Sequence, residues 1–112
     1  MPLPNPILCV TDASFEEDVL RPPGILLLDF WAPWCAPCRL LAPLLEELAA
    51  EYAGGIRVAK INADANAAAV ERLAVRSLPT LILWQDGVER ERVLGLSNKS
   101  RLAAMLDRYL ED

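Results

Sequence analysis

Residues Ile25 to Phe30 read "ILLLDF", an almost continuous apolar run interrupted by one carboxylate. A strand with one wet face alternates apolar and polar residues. A run without alternation is the pattern of a strand covered on both faces, as in the parallel part of an α/β sheet. This stretch is therefore predicted to be a central strand, which requires helices on both sides of it.

The rest of the chain supplies helices and strands in alternation. "ILCV" (Ile7 to Val10) is a short strand candidate. In the following "TDASFEEDVL", Ser14 and Glu17 are spaced as a capping box ahead of a helical stretch that "RPPG" ends. From Cys35 to Tyr52, apolar side chains at Leu40, Leu41, Leu44, Leu45, Leu48 and Tyr52 recur at helical spacing, with Glu46, Glu47 and Glu51 opposite. Pro43 lies inside that amphipathic helix and predicts a kink rather than a break. Gly54 and Gly55 end it. "IRVAKIN" alternates like a strand, and Asp64 or Asn66 is placed to cap the Ala-rich helix that follows. "TLILW", the turn residues Asp86 and Gly87, and "VERERVL" read as an antiparallel hairpin. A last helix is predicted over Asn98 to Leu110, with Leu102, Met105, Leu106, Tyr109 and Leu110 on one face. The order β-α-β-α-β-α-β-β-α implies a mixed sheet of five strands flanked by four helices, since parallel crossovers each need a covering helix.

A chain of 112 residues holds one domain with a single core, and residues 1–6 read as a flexible N-terminal arm. No apolar run approaches the roughly 20 residues of a membrane span, and no export signal is visible, so a cytoplasmic protein away from membranes is expected. Eleven basic and 16 acidic residues give a net charge of -5, which disfavours nucleic-acid binding. The absence of histidine removes imidazole as catalytic base or metal ligand.

Ligand chemistry in such sheets sits at the carboxyl ends of strands. There, directly after the central strand and at the start of a helix, stands "WAPWCAPCR". The helix N-terminus stabilises a thiolate, which makes Cys35 the candidate nucleophile. Cys38, three residues on, lies on the same helical face and can resolve a mixed disulfide formed at Cys35. Pro37 suits the first helical turn, where its missing N–H costs nothing. The competing readings are two buried apolar cysteines or half of a metal site. A metal needs about four ligands, and only Cys9 is added by this chain, although a cluster shared between two chains stays open. Asp29 is the second unusual residue, because a carboxylate inside an apolar strand is costly to bury. It is read either as a buried acid/base for Cys38, tuned by Lys60 in the neighbouring strand, or as a strand-end aspartate that reaches solvent. Cys9 is expected to be a small core residue. The charges of "VERERVL" suit an edge strand protected against stray pairing. Arg39 and Arg76 flank the site, either steering acidic substrates or simply solvated.

"SFEEDVL", "LDFWAPWCAPC", "APLLEELAAEY", "VAKIN" and "RSLPTLILW" together resemble the thioredoxin family over nearly the whole chain. The most specific element is "DFWAPWCAPC" combined with "SLPT" some forty residues later. The resemblance implies the thioredoxin fold, with Pro79 in the cis form facing the cysteines. It implies an exposed attacking thiol at Cys35, a buried resolving thiol at Cys38, and a buried acid/base at Asp29 with Lys60 close by. Trp31 would pack under the site and Trp34 would shield it. The backbone around Leu78, ahead of Pro79, would pair with an extended stretch of substrate, and Gly95 would let that stretch come close. Two positions depart from the family pattern: Ala36 and Ser77 stand where glycine is common. Residues between the cysteines tune the potential, and the Ala36 methyl stands where substrate or recycling enzyme docks. The expected function is a monomeric protein-disulfide reductase without prosthetic group, recycled by a thioredoxin reductase. The alternatives are a binding or chaperone subunit of the same fold, and a dimer bridged by a cluster through the cysteine pair.

Overall fold

The side chains of Ile25 to Phe30 are all buried, which places this run at the centre of the molecule. The computed structural model describes residues 7–110; the arm expected over residues 1–6 lies outside them. Five strands form one sheet: β1 (Leu8–Val10), β2 (Ile25–Trp31), β3 (Ile56–Asn62), β4 (Thr80–Gln85) and β5 (Val88–Leu94), in the order β1-β3-β2-β4-β5. β2 pairs parallel with β3 and antiparallel with β4, so the sheet is mixed, as the element order implied.

Alternation along β2 divides the core in two. Ile25 and Leu27 face α1 (Ala36–Glu51) and α3 (Lys99–Leu110), meeting Leu41, Leu45, Leu48, Leu102, Met105 and Leu106. Leu26, Leu28 and Phe30 face the other layer, made by α2 (Ala67–Arg72) and a π-helical turn at Glu16–Leu20. Full burial of one such leucine or phenylalanine contributes about 1.5–3 kcal/mol, so β2 alone anchors both layers. Among the described residues no helix is long and apolar enough to cross a membrane.

Five local expectations need correction. The capping box does not form: Ser14 Oγ accepts from the Thr11 N–H at 2.9 Å, and Phe15 stands at the start of the turn without a side-chain cap. The hydroxyl satisfies its own local backbone instead, a competition to which Ser and Thr are prone. Neither Asp64 nor Asn66 caps α2 with its side chain; the carboxylate of Asp12, far away in sequence, accepts from the N–H groups of Ala68 and Ala69. Leu40 is 64% exposed, because an amphipathic helix buries one stripe, and Cys38, Leu41, Leu45 and Leu48 occupy it. Leu110, placed on the apolar face of the last helix, is exposed at that helix's end. Cys9 is exposed and not a core residue. It sits on the edge strand β1, where Val10 takes the covered face and Cys9 points the other way.

The charged strand β5 is the opposite edge, as its sequence suggested. Its charges are held locally, Arg92 by Glu89 at 2.8 Å and Glu91 by Arg108 at 2.7 Å. The β4–β5 turn uses Asp86 (φ 52°) and Gly87 (φ 79°), the pair of positive φ values that a tight two-residue hairpin requires. A Cβ on Gly87 would collide with the Leu20 carbonyl. Gly87→Ala is therefore expected to destabilise the protein by about 2 kcal/mol or more. Urea unfolding checks this, and an unchanged midpoint would refute the steric account.

Candidate active site

The chain leaves β2 at Trp31, turns through Ala32, Pro33 and Trp34, and enters α1 at Cys35, which occupies the N-cap position. Cys35 has an extended backbone (φ -87°, ψ 106°), and its Sγ accepts from the Cys38 N–H at 3.2 Å. That amide is one of the unpaired donors of a helix start, so the sulfur stands where a thiolate is favoured. Cys35 and Cys38 are joined by a disulfide, with Cα atoms 5.3 Å apart. Ala36 and Pro37 lie between them, both exposed, in the first turn of α1. The exposed thiol implied for Cys35 is not seen in this disulfide form. Cys35 is 3% exposed and Cys38 4%, because Ala32, Trp31 and Leu78 pack against the pair. Arg39 is exposed, and its guanidinium donates to the Pro33 carbonyl at 2.8 Å, which ties the loop to the helix.

On the inner side of the disulfide lies a cavity of about 250 Å³ whose lining includes Asp29, Trp31, Cys38, Arg39 and Lys60. Asp29 is 4% exposed, so of the two readings of this residue the strand-end aspartate reaching solvent is ruled out. Its Oδ1 has no hydrogen-bond partner among the described residues, and neither has the Trp31 indole N–H. Burial pushes the Asp29 carboxyl up to about 7, with the positive charge of Lys60 pulling the other way. Lys60 is opposite Asp29 in the β2–β3 register, and its ammonium lies 5.5 Å from the Trp31 ring centre. These groups come together because Asp29 and Trp31 share the α1 face of β2 with Ile25 and Leu27.

On the outer side is a groove lined by Trp34, Ala63, Asp64, Val70, Val75, Arg76, Ser77 and Leu78. Trp34 forms its lip at 67% exposure, and the indole N–H donates to Asp64 Oδ2 at 2.9 Å. The Leu78–Pro79 peptide bond is cis. Ser77 is exposed, and its carbonyl accepts from the Thr80 hydroxyl at 2.6 Å. Gly95 (φ 81°) donates its N–H to the Pro79 carbonyl at 2.8 Å, and a Cβ there would meet open space. Asp64 escaped notice as the partner of Trp34: the two are 30 positions apart, and only the fold joins them.

A mixed sheet whose central strand ends in a disulfide at a helix N-terminus, with a cis-proline loop and a buried carboxyl beside it, defines the class of dithiol–disulfide oxidoreductases. The thioredoxin family model matches residues 6–108. The chain is 48% identical to a thioredoxin of Pseudomonas aeruginosa, over 90% of this chain and 94% of that one. It is 47% identical to a thioredoxin of Acidithiobacillus ferridurans, over 93% and 96%, and 43% identical to thioredoxin 1 of Synechococcus elongatus, over 90% and 94%. The chain belongs to the thioredoxin family. It is a thiol–disulfide oxidoreductase of the protein-disulfide reductase kind, acting on disulfide-containing substrates with a reductase as partner.

The position of Asp29 has a consequence for stability. Between its ordinary value and about 7, the folded chain keeps a proton that the unfolded chain has already released. Stability from this group therefore falls as pH rises through that window and stays reduced above it. A displacement from 3.8 to about 7 corresponds to about 4 kcal/mol. Asp29→Ala, compared with wild type by urea unfolding of the oxidised forms, should gain up to about 4 kcal/mol between about pH 4 and pH 8. A difference that stays flat with pH would show that the carboxyl is not held protonated by burial.

Proposed function

We propose that the reaction proceeds by Cys35 attack and Cys38 resolution, with Asp29 as the acid/base. The Cys35 thiolate attacks one sulfur of the substrate disulfide, and the other sulfur leaves as a thiolate that takes a proton from water. Asp29, as carboxylate, then accepts the Cys38 proton. The Cys38 thiolate attacks Cys35 Sγ, the mixed disulfide breaks, and the second substrate sulfur departs as a thiolate that takes a proton from water. Two electrons pass to the substrate and leave the Cys35–Cys38 disulfide. The observation that carries this reading is the buried Asp29 carboxyl, whose Oδ1 has no hydrogen-bond partner among the described residues, in the same cavity as Cys38.

Lys60 tunes Asp29, Trp31 supports the cavity, and Pro37 stiffens the turn between the cysteines. The substrate lies in extended form along Leu78 and Pro79, between Trp34, Ala36 and Ser77 on one side and Gly95 on the other. Support for this docking comes from Leu78, whose backbone N–H and carbonyl have no partner among the described residues. The chain works as a cytoplasmic monomer without prosthetic group, is recycled by a thioredoxin reductase, and has neither nucleic acid nor membrane as partner. The net charge of -5 favours that last restriction.

The test is turnover of a protein disulfide with dithiothreitol. Cys35→Ser should abolish it, and Cys38→Ser should accumulate mixed disulfides at Cys35, visible as adducts by mass spectrometry. Undiminished reduction by both variants would overturn the mechanism. A trapped adduct at Cys38 in Cys35→Ser, with none in Cys38→Ser, would reverse the two roles.

A further inference from the structure

Ala63, Asp64 and Val70 bring one wall of the outer groove from the segment Ala63 to Arg72, which holds one short helical turn and the six-residue α2. Six residues are too few to form a stable helix on their own. Beside the packing of Ala69 and Val70 into the core, the segment is held by a reciprocal contact with Asp12, just after β1. The Asp12 N–H donates to Asn66 Oδ1 at 2.8 Å, while the Asp12 carboxylate accepts from the Ala69 N–H at 2.9 Å and the Ala68 N–H at 3.2 Å. Asn66 is 6% exposed, and its amide donates to the Asn62 carbonyl at 2.9 Å. Asn62 Oδ1 accepts from the Asp64 N–H at 2.9 Å, and Asp64 holds the Trp34 indole. An unbroken series of hydrogen bonds thus runs from β1's end to the lip of the groove.

We propose that Asp12 and Asn66 are positioning residues for substrate docking: their mutual clamp sets the Ala63–Arg72 wall, and through Asp64 it sets the indole of Trp34. The proposal rests on the reading of the outer groove as the docking site for protein disulfides. Neither residue touches the sulfurs, so the clamp acts on binding and leaves the exchange chemistry alone. Loss of a cap-type carboxylate loosens the wall, and the indole then samples positions that a docked strand must first collect into one.

Steady-state kinetics on a protein disulfide and on a small disulfide such as oxidised glutathione separate the two effects. Asp12→Ala should raise KM for the protein disulfide about fivefold with kcat within about twofold of wild type, and leave the small disulfide unaffected. Because the clamp acts through Asp64, adding Asp12→Ala to Asp64→Ala should raise KM little further, whereas independent sites would multiply. Asp12→Asn keeps one acceptor oxygen and should give a smaller rise in the same direction; it carries the cycle if the alanine variant does not fold. An unchanged KM in the folded variant, equal losses on both substrates, or multiplicative effects with Asp64→Ala would each overturn the proposal. A wild type that reduces small disulfides but no protein disulfide would overturn the docking reading itself, and the proposal with it.

Discussion

Burial of β2 on both faces is the constraint on which the rest of the molecule depends. A strand sealed between two helical layers offers its side chains no water, so whatever stands on it is either apolar or held at a cost. Five of its seven residues from Ile25 are aliphatic or phenylalanine. The sixth, Asp29, meets the cost by keeping its proton toward neutral pH and by lying beside Lys60. The same sealed strand ends where α1 begins, so the helix start and its donor amides are delivered next to that carboxyl without any long loop.

This arrangement gives the disulfide two unlike sides. The inner side holds Asp29, Trp31 and Lys60 around a cavity, where Asp29 Oδ1 and the Trp31 indole N–H have no partners among the described residues. The outer side presents Trp34, Ser77 and Leu78 along an open groove. Under the proposed mechanism a substrate sulfur approaches from the groove, while the proton of Cys38 departs into the cavity. Separating the two paths lets the docking surface vary without disturbing proton transfer. Ala36 and Ser77, the two departures from the family pattern, are both exposed, and Ser77 lines the outer groove.

Most of the architecture was legible because it rests on periodicity. The unbroken run at Ile25 to Phe30, the alternation of "IRVAKIN" and the Asp86-Gly87 turn each carry a local pattern that only one kind of element satisfies. Cys35, Cys38 and Asp29 were legible for a related reason: their residue types are out of place in an apolar strand and a helix start. The misreadings share the opposite character. Leu40, Cys9 and Leu110 are apolar, but their burial depends on which neighbour covers them, and nothing within a few positions in the sequence records that. Ser14 with Glu17, and Asp64 or Asn66, have the residue types and spacing of local caps, yet none of them caps its helix with its side chain. The actual cap of α2 comes from Asp12, whose partners lie 56 and 57 positions away. Long-range polar pairing leaves no periodic trace, which is also why the Asp64 bond to Trp34 emerged only from the fold.

Under the proposed mechanism, the shift at Asp29 links stability to chemistry through one quantity. A thiol ordinarily titrates near 8.5 and a solvated aspartate near 3.9, so proton transfer between them would run uphill by about 6 kcal/mol. With the carboxyl raised to about 7, the gap shrinks to about 2 kcal/mol, within reach of a turnover step. The difference of about 4 kcal/mol is the same free energy by which burial of the charge weakens the fold above neutral pH. Lys60 opposes the rise, and at about 7 a substantial fraction of Asp29 is ionised near neutrality. Under the proposed mechanism, a carboxyl more exposed would be too weak a base for Cys38. Under that mechanism, the apolar run that seals β2 and the lysine across from Asp29 act on one group in opposite directions, burial raising its pKa and the positive charge lowering it.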